Sequence, residues 1–193
     1  MAQGRPGWAL GFVDEVWFSR LARPALHAWA APDGRLRLAT HAADRDDPEA
    51  KALACYGLWL PERERMLLRF VAGRPVSAIT CAFLAWAAER LAAEGVRVLA
   101  LIWDNAAWHV SREVRAWIRD HNRRVKAACA GCRILVCRLP SRSPWLNPIE
   151  PKWAHGKRAI VEPERKLTGD ELKRRLCDHH RCPLLPPLAQ QLA

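Results

Sequence analysis

Apolar and polar residues alternate along this chain with two different periods. Residues 10–18 are apolar apart from Asp14 and Glu15, as a strand covered on both faces would be. Residues 51–60 and 64–72 read as two strands joined near Pro61-Glu62-Arg63, a hairpin. Ser77 is a candidate cap for a helix running to about Glu94, with Ile79, Phe83 and Trp86 on one face and Gly95 as its stop. Residues 96–103 form a short apolar run typical of a buried strand. Ser111 can cap a further helix whose inward face holds Val114, Trp117, Ile118 and Val125. Arg133 to Leu139 reads as another strand, Pro140 to Pro148 as a loop, and a last helix starts near Asn147. Residues 19–50 carry Pro24, Pro32-Asp33-Gly34 and an acidic run at 44–48, and read as a long loop. The order is strand, hairpin pair, helix, strand, helix, strand, helix, which is an α/β layout with helices covering a mixed sheet.

Composition narrows the function classes. The 193 residues include 50% hydrophobic ones, enough for one folded core. The expected division is one domain over 1–182 and a proline-rich tail over 183–193. Net charge is +11, and the stretch from Arg112 to Arg175, with 17 Lys+Arg against 7 Asp+Glu, carries +10 of it. A polyanionic partner is the first reading of that asymmetry; an arginine-rich soluble protein is the plain one. No apolar run approaches the ~20 residues that span a bilayer, and Met1 to Pro6 lacks the apolar core of a signal peptide. A cytoplasmic protein with reduced thiols is therefore expected. The seven cysteines are odd in number. Cys129 and Cys132 could join His179 or His180 and Cys182 around zinc, but the second half lacks paired spacing, and free thiols are the simpler reading.

Three carboxylates stand out. Asp14 alternates in phase with Phe12, Val16 and Phe18, so it shares a face with apolar groups. A carboxylate there needs an arginine partner or a cation. Glu15 points to the other face and does not substitute for it. Asp104 follows a strand and sits at its carboxyl end, where α/β sheets place their sites; Asp104-Asn105 is also an ordinary turn pair. Glu150 precedes a helix, and Asn147, Pro148 and Glu150 also fit N-cap, N1 and N3 of a capping box. Together, carboxylates from a strand interior, a strand end and a helix start can hold hard divalent cations for phosphodiester chemistry.

The motifs around these acids resemble a known family. Trp103-Asp104-Asn105-Ala106-Ala107-Trp108-His109 looks like the second-aspartate motif of mariner-like DDE transposases, and Leu139 to Trp153 (LPSRSPWLNPIEPKW) looks like their third-acid motif. Phe12-Val13-Asp14-Glu15 is similar to the first. The bacterial insertion-sequence branch is the nearest in pattern, and the likeness runs from about residue 10 to 175. It implies a ribonuclease-H-like fold with Asp14, Asp104 and Glu150 as catalytic, metal-holding triad and two Mg²⁺ or Mn²⁺ ions. It also implies a homodimer acting on transposon ends and target double-stranded DNA, cleaving the ends and joining their 3′ ends to the target. Asn105 and His109 match motif positions near the site, as DNA- or carboxylate-positioning groups. Arg142, Lys152, Lys157 and Arg158 are candidate phosphate contacts, with a solvated helix face as the alternative. The 45 residues between Asp104 and Glu150 exceed the family's usual spacing, and the excess is expected around His121 to Cys132. The family's helix-turn-helix reader normally precedes the first aspartate, where thirteen residues stand here. A separate DNA-reading polypeptide, or fusion to one by frameshift, is therefore expected. Two other readings stay open: a ribonuclease-H-like nuclease that cuts without joining, and an inactive remnant that binds DNA or a partner transposase.

Overall fold

The computed structural model describes residues 4–21, 46–140, 143–162 and 165–189. Five strands form one sheet: β1 (Trp8–Ser19), β2 (Ala52–Leu60), β3 (Arg65–Val71), β4 (Val98–Trp103) and β5 (Arg133–Arg138). Their spatial order is β3-β2-β1-β4-β5. The first three are antiparallel neighbours, while β4 runs parallel to β1 and to β5. Four helices cover the sheet: α1 (Ser77–Ala93), α2 (Arg112–Ala128), α3 (Glu150–Ala159) and α4 (Gly169–His180). No helix among the described residues is long and apolar enough to cross a membrane.

Period-two alternation divides the sheet's side chains between two cores. Val13, Tyr56, Leu58, Leu99, Leu101 and Trp103 face α1 and α2. Phe12, Val16, Phe18, Met66, Leu68 and Phe70 face α3 and α4. Each fully buried large side chain contributes about 1.5–3 kcal/mol, so both helical layers are held by the hydrophobic effect.

Several local expectations change. Ser77 is not the cap of α1: Val76 takes that position without a side-chain bond, and Ser77 Oγ instead donates to Ser111 Oγ at 2.9 Å. Ser111 does cap α2, accepting from Val114 N at 3.1 Å, so the two helix starts are tied together. Gly95 ends the α1 segment with φ +81°, a conformation that glycine adopts without strain. The expected final helix near Asn147 is two helices. The second, α4, begins in a capping box in which Thr168 and Glu171 bond each other's backbone. The tail after Pro183 is not loose throughout: Leu188 is buried and exchanges backbone hydrogen bonds of 2.7 Å with Phe70 and Ala72, along the β3 edge. The expected loop over 19–50 lies largely outside the described residues. Its two described ends meet at Arg20, whose buried guanidinium pairs with Asp47 and Glu49 and donates to Leu167 O at 2.7 Å.

Candidate active site

Asp14 lies on β1, on the face covered by α3 and α4, as its phase with Phe12 and Val16 requires. β1 and β4 are paired in parallel through Phe12 and Ile102. Asp14 lies two residues beyond that last pair on β1, and Asp104 directly follows the end of β4. Glu150 opens α3. Three residues on, Trp153 points from the same helix face and donates its indole N–H to Asp14 Oδ2 at 3.0 Å. Trp153 is buried, edge-on to Phe18, and its ring fills the space above Gly57. A Cβ on Gly57 would stand 2.2 Å from that ring. Among the described residues no basic side chain pairs with Asp14.

The electrostatics of the two aspartates differ. Burial pushes the Asp14 carboxyl up to about 7, and the neighbouring charges of Glu15 and Glu150 push the same way. Asp104 is held below the usual carboxylate range, first by its hydrogen bond with His109. Its Oδ1 also accepts from Ala106 N at 2.9 Å, in a turn of the kind Asp favours.

His109 joins the two sheet faces' chemistry. Its ring stacks on Trp103 at 4.6 Å and 6°, Nδ1 lies 2.8 Å from Asp104 Oδ1, and Nε2 lies 3.1 Å from Glu15 Oε2. The second contact is a close ion pair, off line for a hydrogen bond. Burial alone would lower the imidazole's pKa, but the two carboxylates outweigh it and raise it to about 9. Glu15 Oε1 in turn accepts from Trp108 Nε1 at 2.9 Å. The His109 side chain has no exposed surface, and its two ring nitrogens each face a carboxylate. Asn105 is exposed and spends its amide N–H on Leu139 O at 2.8 Å, linking the ends of β4 and β5.

The other candidates spread along α3. Lys152 is half-buried with its ammonium over the Trp59 ring at 4.1 Å. It borders a cavity of about 250 Å³ together with His155, His179 and Arg181. Lys157 and Arg158 are exposed in the last turn of α3. Arg142 lies outside the described residues. The zinc set considered from sequence is not assembled. Cys132 packs in the α1/α2 core and Cys182 against the α3/α4 core, across the sheet from each other.

The three residues fit a hard cation in donor chemistry, being carboxylates, and Glu150 lies near enough to Asp14 to raise its pKa. The triad is not closed around such an ion: among the described residues no three His, Cys, Asp or Glu groups stand together as a metal cluster. The sequence reading missed Trp153 and Glu15 as parts of this site. Trp153 had a readable signal, its i+3 spacing from Glu150.

The profile of the DDE superfamily endonucleases matches residues 9–173. Among solved structures, the Mos1 transposase paired-end complex with its left transposon end superposes with a TM-score of 0.66 at 16% identity, covering 91% of this chain and 48% of that one. The catalytic domain of Mos1 mariner transposase gives 0.59 at 15% identity, covering 91% of this chain and 71% of that one. A simian T-cell lymphotropic virus intasome gives 0.52 at 11% identity, over 93% and 56%. The chain thus spans about half the length of the Mos1 chains in those complexes. Among curated proteins, none matches. With its five-stranded mixed sheet and flanking helices in the ribonuclease-H-like arrangement, this chain belongs to the DDE superfamily of endonucleases.

Proposed function

We propose that the chain is the catalytic domain of a DNA transposase that cleaves phosphodiesters at transposon ends and joins the 3′ ends to target DNA. What supports this reading most is the endonuclease family match over residues 9–173, with Glu150 near enough to Asp14 to raise its pKa and Asp104 following the end of the strand beside β1. Asp14, Asp104 and Glu150 would hold the two Mg²⁺ or Mn²⁺ ions, which when bound stabilise charge on both sides of the phosphate being exchanged.

The chain's own groups prepare that site. Trp153 fixes one oxygen of Asp14. His109 and the Ala106 N–H fix one oxygen of Asp104. The start of α3 carries Glu150 to the sheet, and its last turn offers Lys157 and Arg158 to the DNA backbone. These cations hold DNA in register without reading its sequence. Partners in this reading are double-stranded DNA at transposon ends and target, a second copy of the chain in the synaptic complex, and a helix-turn-helix DNA reader. Two of the Mos1 structures are a paired-end complex with the left transposon end and a strand transfer complex, which supports the reading.

The test is strand transfer. A labelled duplex ending in the element's terminal repeat is incubated with the protein, the reader and Mn²⁺, with a plasmid as target. Covalent joining of the label to the plasmid is expected. Cutting without joining supports a plain nuclease, and binding without cutting supports an inactive remnant.

A further inference from the structure

Asp104 leaves β4 half-exposed, yet one of its oxygens is fully engaged. Oδ1 accepts from Ala106 N at 2.9 Å and meets His109 Nδ1 at 2.8 Å. A carboxylate oxygen has about two lone-pair positions, so Oδ2 is the oxygen left to take a further ligand. The engagement lasts only while His109 stays where it is. Its ring is pressed flat on Trp103, and its far nitrogen lies 3.1 Å from Glu15 Oε2. Glu15 is itself pinned: its side chain is 10% exposed, and Oε1 accepts from Trp108 Nε1 at 2.9 Å. β1 therefore supplies two neighbouring carboxylates with different tasks. Asp14 faces α3, while Glu15 faces the other way and meets the histidine that holds Asp104.

We propose that Glu15 is a positioning residue: acting through His109, and anchored by Trp108, it holds Asp104 so that a single carboxylate oxygen is offered to a divalent cation. The proposal rests on the transposase reading of the triad. Its consequence is selectivity. Mg²⁺ demands near-octahedral geometry and is served by carboxylates that each offer one oxygen, while Ca²⁺ accepts bidentate carboxylates and irregular shells. Releasing Oδ1 should weaken Mg²⁺ and leave Ca²⁺ unchanged or favoured. A residue that only stabilised the fold would weaken both alike.

The experiment is calorimetric titration of Mg²⁺ and of Ca²⁺, each alone, into the full chain and into Glu15→Gln, His109→Gln and the double variant. Folding is checked by thermal melting. Trp108→Phe, which removes one anchor of Glu15 and leaves both charges in place, stands in if Glu15→Gln fails to fold. Glu15→Gln should lose about 10- to 100-fold in Mg²⁺ affinity, the usual effect of removing a group behind a ligand, with a smaller change for Ca²⁺. The double variant should be no worse than His109→Gln, because a residue acting through another is not additive with it. Additive losses, or an unchanged Mg²⁺-to-Ca²⁺ ratio in Glu15→Gln or its Trp108→Phe stand-in, would overturn the proposal and leave the triad standing. A wild-type chain whose Mg²⁺ binding survives Asp104→Asn would instead overturn the triad reading, and this proposal with it.

Discussion

Asp14 lies on β1 and Asp104 just past the end of the neighbouring strand β4, and the two live in opposite surroundings. Asp14 is half-buried against α3, accepts the Trp153 indole N–H, and is crowded by Glu15 and Glu150. Asp104 is half-exposed, bonded by a backbone N–H and an imidazole, and comfortably ionised. The sheet explains the contrast. The α3/α4 face supports its aspartate with packing through Trp153, and the α1/α2 face supports the other with charge through His109 and Glu15. Asp14 is thus the member whose ionisation costs stability, and Asp104 is the member whose geometry is fixed.

The packing side should break hardest. A side chain at position 57 collides with Trp153, which cannot move without releasing Asp14 and tilting α3. Gly57→Val should destabilise the fold by about 1–3 kcal/mol or more, as core overpacking does. That lowers the melting temperature by about 2–4 °C per kcal/mol for a chain of this size. Differential scanning calorimetry measures it, and cleavage should be lost as well.

Removing the crowded charge should do the reverse. The Asp14 pKa rises from 3.8 unfolded to about 7 folded, so the folded state keeps its proton longer. Stability therefore falls as pH climbs from about 4 to 7, and the loss is complete above that. Asp14→Asn keeps an oxygen for Trp153 and removes the loss. It should gain roughly 1–3 kcal/mol at pH 8 while abolishing cleavage. Melting curves across pH 4 to 8 decide it: a variant that parallels the wild type places Asp14 in a less hostile site.

His109 should show a dependence of the same sign in a higher window. Its pKa rises from 6.5 to about 9, so its stabilisation is full below 6.5 and disappears as pH passes through about 9. His109→Gln should flatten the decline between pH 7 and 10 and leave the acid-side decline of Asp14 in place. The two variants separate the two faces by pH alone.

The smallest expected effect lies at the DNA surface. Lys157→Ala with Arg158→Ala should shallow the log–log salt dependence of DNA affinity by about one to two units. An unchanged slope removes this pair from the backbone contacts.

Much of this arrangement was legible in the sequence, for a definable reason. The strand and helix patterns around Asp14, Asp104 and Glu150 are local, and local periodicity places each acid on its element. The pairing that sets β1 beside β4 is not local. Neither is the bond from Trp153 to Asp14, across 139 residues. Glu15 was set aside because alternation says which face a side chain takes and not what waits there; here Trp108 and His109 do. The α4 helix carried its own signal, Thr168 and Glu171 in capping-box spacing ahead of Leu172 and Leu176. Leu188 against the β3 edge carried none, since nothing in a proline-rich tail names the strand it will meet.

The central claim is that the three acids make one site for cutting DNA. The most direct measurement is Mn²⁺-dependent nicking of a supercoiled plasmid by the wild-type chain and by Asp104→Asn, with matched melting curves to show that both are folded. Nicking by the wild type that needs Mn²⁺, and falls to background in Asp104→Asn, is the expected result. Equal nicking by the two proteins would contradict the claim.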